Sequence, residues 1–154
     1  MPPWAAVKGF GHFRNDISLS EREIALVSSW VEGGAPEGHL IYMPAMPADE
    51  AFALPEPPPS EKLPIQSVMT LEKQVQALGI RPESAPEGGS LEVIVTTPDG
   101  TTQYLIWLRD YQKRWQRSYY FREPVDLPPG TKIFVHPAEG VAASLLTAVP
   151  SPAR

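Results

Sequence analysis

Residues 91–108 read LEVIVTTPDGTTQYLIWL, and this stretch decides the fold class. β-branched, aromatic and other apolar residues dominate both flanks, Leu91–Thr97 and Thr102–Leu108, which is typical of β-strands. Between the flanks lies the sequence Pro98-Asp99-Gly100-Thr101, in which the proline presets its own φ and Gly100 accepts a positive φ. The stretch therefore predicts a β-hairpin.

Outward from this hairpin, the second half of the chain repeats the pattern of short apolar runs separated by turn residues. We predict one strand or a pair of strands over Val68–Ile80, and single strands over Tyr119–Arg122, Lys132–His136 and Ala143–Val149. Pro128-Pro129-Gly130 marks a further turn. Six or seven short strands with frequent turns are typical of a sandwich or a small open barrel, and we expect a mainly β fold, an antiparallel β-sandwich.

The first half contains one clear helical pattern, which we place at residues 21–32. Ser20 and Glu23 have the spacing of a capping box, and Gly33-Gly34 supplies the C-terminal stop. One face of this helix is apolar: Ile24, Val27, Trp30 and Val31.

These elements predict four parts along the chain. Residues 1–42 form a segment that carries helix 21–32, and residues 43–63 form a proline-rich linker. Residues 64–149 form the β-sandwich domain, and residues 150–154 form a tail. Nineteen prolines in 154 residues are more than twice the usual share of about 5%.

Composition excludes several kinds of chemistry. The chain has no cysteine, so disulfides, thiolate catalysis, iron–sulfur clusters and thioether-linked haem are excluded for this chain alone. A net charge of -5 argues against a general binder of nucleic acid, since phosphate neutralisation needs a positive surface. No apolar run is long enough to predict a membrane span, and the first residues do not have the pattern of a signal peptide.

The first 40 residues resemble the C-terminal part of a bacterial c-type cytochrome domain. The matches are Met1-Pro2-Pro3-Trp4, Gly11-His12-Phe13, Leu19-Ser20-x-x-Glu23-Ile24 and Trp30-Val31-Glu32-x-Gly34-Ala35-Pro36-Glu37-Gly38. The resemblance implies an intact parent that carries haem c, passes electrons and is exported to the periplasm or beyond. The haem-attachment motif Cys-x-x-Cys-His is absent.

Residues from about 64 to 136 resemble the C-terminal domain that follows such cytochromes in proteins similar to copper type II ascorbate-dependent monooxygenases. The matches are Pro98-Asp99-Gly100-Thr101, Leu105-Ile106-Trp107-Leu108-Arg109-Asp110, Trp115-Gln116 with Tyr119, and Pro124-x-x-Leu127-Pro128-x-Gly130-Thr131. This resemblance implies a fold more than a chemistry. A copper site would need several histidines and a methionine, whereas this region holds only His136 and Met69.

Three residues near the start are the candidate haem-side residues. The resemblance implies that Met1 is an axial haem ligand in an intact parent, with Trp4 beside it and His12 as a weaker candidate. In this chain alone, we favour a terminus open to processing for Met1 and an exposed loop position for His12. We assign structural roles to seven further residues: Ser20, Glu23, Trp30, Gly100, Trp107, Trp115 and Gly130.

The segment from Arg109 to Arg122 interleaves basic and aromatic residues and has two interpretations. It can bind single-stranded nucleic acid or a glycan through stacking and charge, or it can be a pair of strands whose aromatic residues fill the core. We favour the core interpretation.

These observations predict a non-catalytic C-terminal portion of a cytochrome c-type redox protein that acts as a structural or interaction module. By itself this chain is expected to hold no cofactor and to be no enzyme, and its expected partner is an upstream haem-bearing segment or a redox partner protein. One alternative is a haem-binding electron-transfer domain that is completed by the missing Cys-x-x-Cys-His half. A second alternative is a sandwich that binds nucleic acid or a glycan.

Overall fold

The computed structural model describes residues 4–14, 16–42, 57–65 and 67–149. These residues fall into two compact units. Residues 17–42 belong to one unit, and residues 4–14, 16 and 57–149, except 66, belong to the other. The predicted tail and most of the predicted linker lie outside the described residues.

The first unit contains helix α1, Glu21–Glu32, as the sequence predicts. The Ser20 hydroxyl accepts the Glu23 N–H at 3.2 Å, and the Glu23 carboxylate accepts the Ser20 N–H at 2.7 Å, so the predicted capping box is confirmed. Trp30 donates its indole N–H to the Pro36 carbonyl at 3.1 Å. A short 3-10 helix, Leu40–Tyr42, follows.

The second unit is a sandwich of two four-stranded antiparallel sheets, which confirms the predicted fold class with eight strands instead of six or seven. The strands are β1 Ser60–Ile65, β2 Val68–Thr70, β3 Val75–Ser84, β4 Leu91–Thr96, β5 Thr102–Leu108, β6 Tyr119–Leu127, β7 Lys132–His136 and β8 Ala142–Ala148. One sheet has the order β1-β8-β3-β6, and the other has the order β2-β7-β4-β5.

The predicted hairpin is strands β4 and β5, and its turn has the predicted chemistry. Gly100 has φ +89°, and the Asp99 carboxylate accepts the Thr101 N–H at 3.1 Å. A hydrogen bond from the Thr97 hydroxyl, followed by those from the Thr101 N–H and hydroxyl, holds the pKa of Asp99 below its ordinary value. Gly130, also at positive φ, lies in the turn before β7, and a Cβ there would come within 3.2 Å of Pro98. Both glycines therefore lie in turns at a positive φ.

Three strand boundaries differ from the prediction, and each of these strands contains a proline. Strand β3 continues past Ile80 through Pro82 to Ser84. Strand β1 begins at Ser60 and crosses the predicted linker boundary at residue 63, and Pro64 lies within it. Strand β6 continues past Arg122 through Pro124 to Leu127. Strands β1 and β6 lie at the edges of their sheet, where a residue without an N–H does not interrupt a second ladder.

The predicted run Val68–Ile80 is two strands that belong to different sheets, β2 and β3. The chain crosses between the sheets at residues 71–74, where Leu71 donates its N–H to the Thr131 carbonyl at 2.9 Å. Thr131 is fully buried, and its hydroxyl donates to the Pro128 carbonyl at 2.7 Å. This crossing is therefore fixed by hydrogen bonds beneath the surface.

Glu83 joins three strands of the first sheet. Its carboxylate accepts the Lys62 ammonium of β1 at 3.1 Å and the Ser144 hydroxyl of β8 at 2.9 Å. Burial alone raises the pKa of Glu83, but these two hydrogen bonds and the positive charges of Lys62 and Arg81 together outweigh it, so the pKa lies below its ordinary value of 4.5.

Residues 4–14 form an extended arm that belongs to the sandwich, whereas the sequence predicts that they group with helix 21–32 in a segment 1–42. Ala6 and Phe13 of this arm are 8% and 5% exposed and belong to the hydrophobic core. Backbone pairing with strands far along the chain accounts for the difference, and no local pattern in the sequence reports such pairing.

Candidate functional site

The arm closes the open side of the sandwich by pairing first with one sheet and then with the other. Val7 donates its N–H to the Trp107 carbonyl at 2.8 Å, and the Ala5 carbonyl accepts the Arg109 N–H at 3.0 Å, which joins the arm to β5.

Further along the arm, Arg14 donates its N–H to the Tyr120 carbonyl at 2.9 Å, and the His12 carbonyl accepts the Arg122 N–H at 2.8 Å, which joins the arm to β6. The arm therefore bridges the two edge strands that face each other across the sandwich.

Two glycines allow the arm to cross between the sheets. Gly9 has φ +88° and Gly11 has φ +96°, a region that L-residues with a side chain rarely adopt. A Cβ at Gly11 would lie 2.5 Å from the Leu105 carbonyl oxygen and 2.6 Å from the Phe13 ring, whereas a Cβ at Gly9 would meet nothing within 4 Å. Of these two glycines, Gly11 is thus the one that packs directly against β5.

Both partner strands are irregular where the arm crosses. In β5, Leu105 is an extra residue, because Val93 pairs with Ile106 while Ile94 pairs with Tyr104. In β6, residues 121–124 face the single residue Leu78 of β3, because the pairing steps from Val125 to Tyr120 there. Such bulges bend a strand and redirect its side chains, and they are frequent next to binding sites.

A groove of about 790 Å³ lies at this crossing. Three segments line it: residues 9–12 of the arm, residues 103–105 of β5 and residues 121–126 of β6. Its buried members are Leu105 and Phe121, whereas Gln103, Tyr104 and Glu123 are exposed. Its volume falls within the range of about 300–1,000 Å³ found for small-molecule sites.

Aromatic contacts fix one wall of the groove. Phe10 meets Tyr104 edge-to-face at 4.9 Å and Trp107 edge-to-face at 4.7 Å between ring centroids. Trp107 donates its indole N–H to the Ser90 hydroxyl at 3.0 Å. Tyr104 remains 43% exposed although the Phe10 ring holds it from one side.

A second aromatic cluster lies under the arm. Trp4 meets Tyr119 at 5.0 Å and Phe13 at 6.0 Å, and Phe13 stacks on Phe121 at 5.7 Å. Burial is the main cause that raises the pKa of the Tyr119 hydroxyl. Trp4 is therefore a packing residue of the sandwich in this chain.

The three candidate haem-side residues are not brought to one described site. Met1 lies outside the described residues, Trp4 packs in the cluster just described, and His12 is exposed and lines the groove. Covalent attachment of haem c needs two thiols, and the chain has no cysteine. The residues of this chain do not by themselves fit a c-type haem.

The two copper-type candidates are also apart. Met69 of β2 packs against the core and pairs with Ile133, whereas His136 is exposed three positions further along β7. Within residues 4–14, 16–42, 57–65 and 67–149, no three side chains of His, Asp or Glu form a group that could hold a metal ion.

Burial within residues 109–122 supports the core interpretation of this segment in part. Tyr111, Tyr119 and Phe121 are at most 3% exposed and cannot stack on a ligand without unfolding. Residues 113–115, however, form a short 3-10 helix instead of a strand, and Trp115 is half-buried with the Arg114 guanidinium 4.8 Å from its ring.

The groove itself is the site that sequence reasoning missed, because its three segments are separated by about ninety and twenty residues along the chain. The one local signal was the Gly9-Phe10-Gly11 sequence, in which two glycines flank an aromatic residue.

No helix within the described residues is long and apolar enough to cross a membrane. Comparisons of this chain with protein-family models, with curated proteins and with solved structures found no match.

Proposed function

We propose that this chain is a non-catalytic structural and interaction module of a c-type cytochrome redox protein, and that its sandwich holds the end of a haem-bearing segment through the arm. One observation carries the proposal. Residues 4–14, which contain part of the cytochrome resemblance, pair with β5 and β6 of the sandwich, which carries the second resemblance.

This pairing gives the module a mechanical role. A haem-bearing segment joined to the chain at Met1 would continue directly from Trp4, whose ring packs against Phe13 and Tyr119. Burial of aromatic rings and four backbone hydrogen bonds resist displacement of the arm. The module would therefore fix the position of its partner without contributing a reacting group.

The experiment adds the missing half in trans. A c-type haem segment that carries Cys-x-x-Cys-His is mixed with the full chain, and association is measured by size-exclusion chromatography at the haem absorbance. The structural proposal predicts co-elution in a one-to-one ratio. Trp4→Ala should weaken the association, whereas Trp115→Ala, outside the cytochrome-like residues 1–40, is the matched control for loss of a half-buried indole and should leave it unchanged.

The haem spectrum of the same mixture separates this proposal from its alternative, an electron-transfer domain completed by the second half. In that alternative, the Met1 thioether becomes the axial ligand, so the Soret band shifts on mixing and the shift disappears in Met1→Leu, produced behind an added start residue. Co-elution without a shift supports the structural module alone. Failure to co-elute would refute both.

A further inference from the structure

We propose that the groove between the arm, β5 and β6 binds a neutral carbohydrate chain, with a sugar ring placed against Tyr104. The groove has the volume of a ligand site, and both strands that line it are bulged at this point and nowhere else along their pairing with β4 and β3 in the described part of the chain. The inference does not depend on the redox role proposed above.

A fixed and exposed aromatic ring favours a sugar as the ligand of the groove. Tyr104 is 43% exposed, and the Phe10 ring holds it edge-to-face at 4.9 Å. Phe10 is itself held against Trp107 at 4.7 Å, so the three rings support one another. A pyranose ring has an apolar face of C–H groups, and an aromatic face that is already fixed binds it with little loss of side-chain entropy.

The groove that Tyr104 lines also contains a mixture of hydrogen-bond donors and acceptors. Gln103 offers a donor and an acceptor, Arg122 offers donors, and Glu123 offers acceptors. Among the described residues, no side-chain hydrogen bond engages any of these three. Sugar hydroxyls both donate and accept, so they need both kinds of partner at one site.

The charges of the residues that line the groove select among possible ligands. The groove is lined by one guanidinium, of Arg122, and two carboxylates, of Glu123 and Asp126. This lining does not attract a polyanion such as a nucleic acid or a sulfated glycan, which requires an excess of cations.

An extended peptide would have to add a strand to the edge of β5 or of β6, and both edges are irregular where they line the groove, β5 because of the extra residue Leu105. Pro124 cannot donate to a new ladder, and residues 121–124 depart from regular pairing. A neutral carbohydrate is therefore the ligand class that the lining favours.

The test is a calorimetric titration of the full chain with three neutral hexasaccharides: cellohexaose, xylohexaose and mannohexaose. We expect at least one of them to bind, with an affinity that changes little between low and high salt because no ion pair forms. Tyr104→Ala should weaken binding by about tenfold, which is the size of a lost aromatic contact. Glu123→Gln should also weaken binding, because it removes the charged acceptor and preserves the shape of the side chain.

The matched control is Tyr42→Ala, which removes an 85% exposed tyrosine outside the groove and should leave binding unchanged. The urea midpoints of all variants show whether they remain folded. The proposal is overturned if no hexasaccharide binds, if Tyr104→Ala and Glu123→Gln bind as the wild type does, or if a heparin hexasaccharide, an oligodeoxynucleotide or an extended peptide binds the groove more tightly than the neutral sugars.

Discussion

Substitution of Gly11 by alanine tests how closely the arm is packed on the sandwich. The new Cβ would lie 2.5 Å from the Leu105 carbonyl oxygen, a distance that Cβ atoms in real proteins do not show. The Phe13 ring on the other side cannot move aside easily, since Phe13 is only 5% exposed. The arm or the bulge in β5 must therefore shift.

The expected loss of unfolding free energy in Gly11→Ala has two parts. A left-handed φ costs an alanine about 1–2 kcal/mol, of which about 0.4–1 kcal/mol is recovered because the unfolded chain loses freedom. If the arm shifts at residue 11, the two backbone hydrogen bonds to β6 are lost, and each contributes about 0.5–1.5 kcal/mol. We expect Gly11→Ala to lower the free energy of unfolding by about 2–4 kcal/mol.

Gly9→Ala is the matched control for this substitution. Gly9 has nearly the same φ, +88° against +96°, but a Cβ there meets nothing within 4 Å. Gly9→Ala should therefore lower the free energy of unfolding only by the cost of the left-handed φ, about 1 kcal/mol.

The assay is urea unfolding followed by tryptophan fluorescence, with all variants made in a Trp30→Phe background so that the signal comes from the sandwich unit. Gly11→Ala should have the lower urea midpoint of the two, and quenching of Trp4 by acrylamide should increase if the arm has partly detached. Equal losses of unfolding free energy in Gly9→Ala and Gly11→Ala would refute the close approach of Gly11 to the Leu105 carbonyl oxygen.

Three further predictions concern other parts of the chain. Ser20→Ala removes the cap of α1 and should lower the helix content measured by circular dichroism, at a cost of about 1 kcal/mol, whereas Ser28→Ala within the helix should not. Thr131→Val removes the hydroxyl that donates to the Pro128 carbonyl, which keeps the Thr131 N–H as a donor at 3.2 Å, and should lower the free energy of unfolding by about 0.5–1.5 kcal/mol in urea, with an unchanged m-value. Because the pKa of Glu83 is lowered in the folded state, its contribution is present above pH 4.5 and is lost as the pH falls further. Glu83→Gln should therefore flatten the acid limb of a stability-against-pH curve, and an unchanged limb would contradict this assignment.

The elements that the sequence predicts well are those whose signals are local. The Ser20–Glu23 capping box and the Pro98–Thr101 turn each depend on residues within a few positions, and both have the expected geometry. Strands β4, β5, β7 and β8 lie within one residue of their predicted bounds for the same reason.

Proline accounts for two of the differences. The prediction begins the sandwich domain at Pro64 and ends a strand at Arg122, before Pro124, whereas both prolines lie inside edge strands. Whether a strand lies at an edge is a property of the whole sheet, so the local sequence does not carry it.

The groove could not be predicted because its walls meet only through the tertiary structure. Tyr104 looks like any strand residue, and only the extra residue Leu105 and the arm at Gly11 place it beside β6. The haem-side candidates were predicted from resemblance alone, and Met1 lies outside the described residues, so that role remains a prediction.

The arm also has a consequence for the order in which the sandwich forms. Arg14 bonds to Phe121, which lies 107 positions later, so the arm leaves the ribosome long before its partner strands exist. Loop closure over such a distance is slow, and contacts of this kind form late in folding. Phe10, Phe13 and Trp4 are therefore apolar surface that the nascent chain must keep from aggregating until β6 has been synthesised. Co-translational chaperone binding, if it occurs, should be strongest on these first residues and should end when the C-terminal strands are complete.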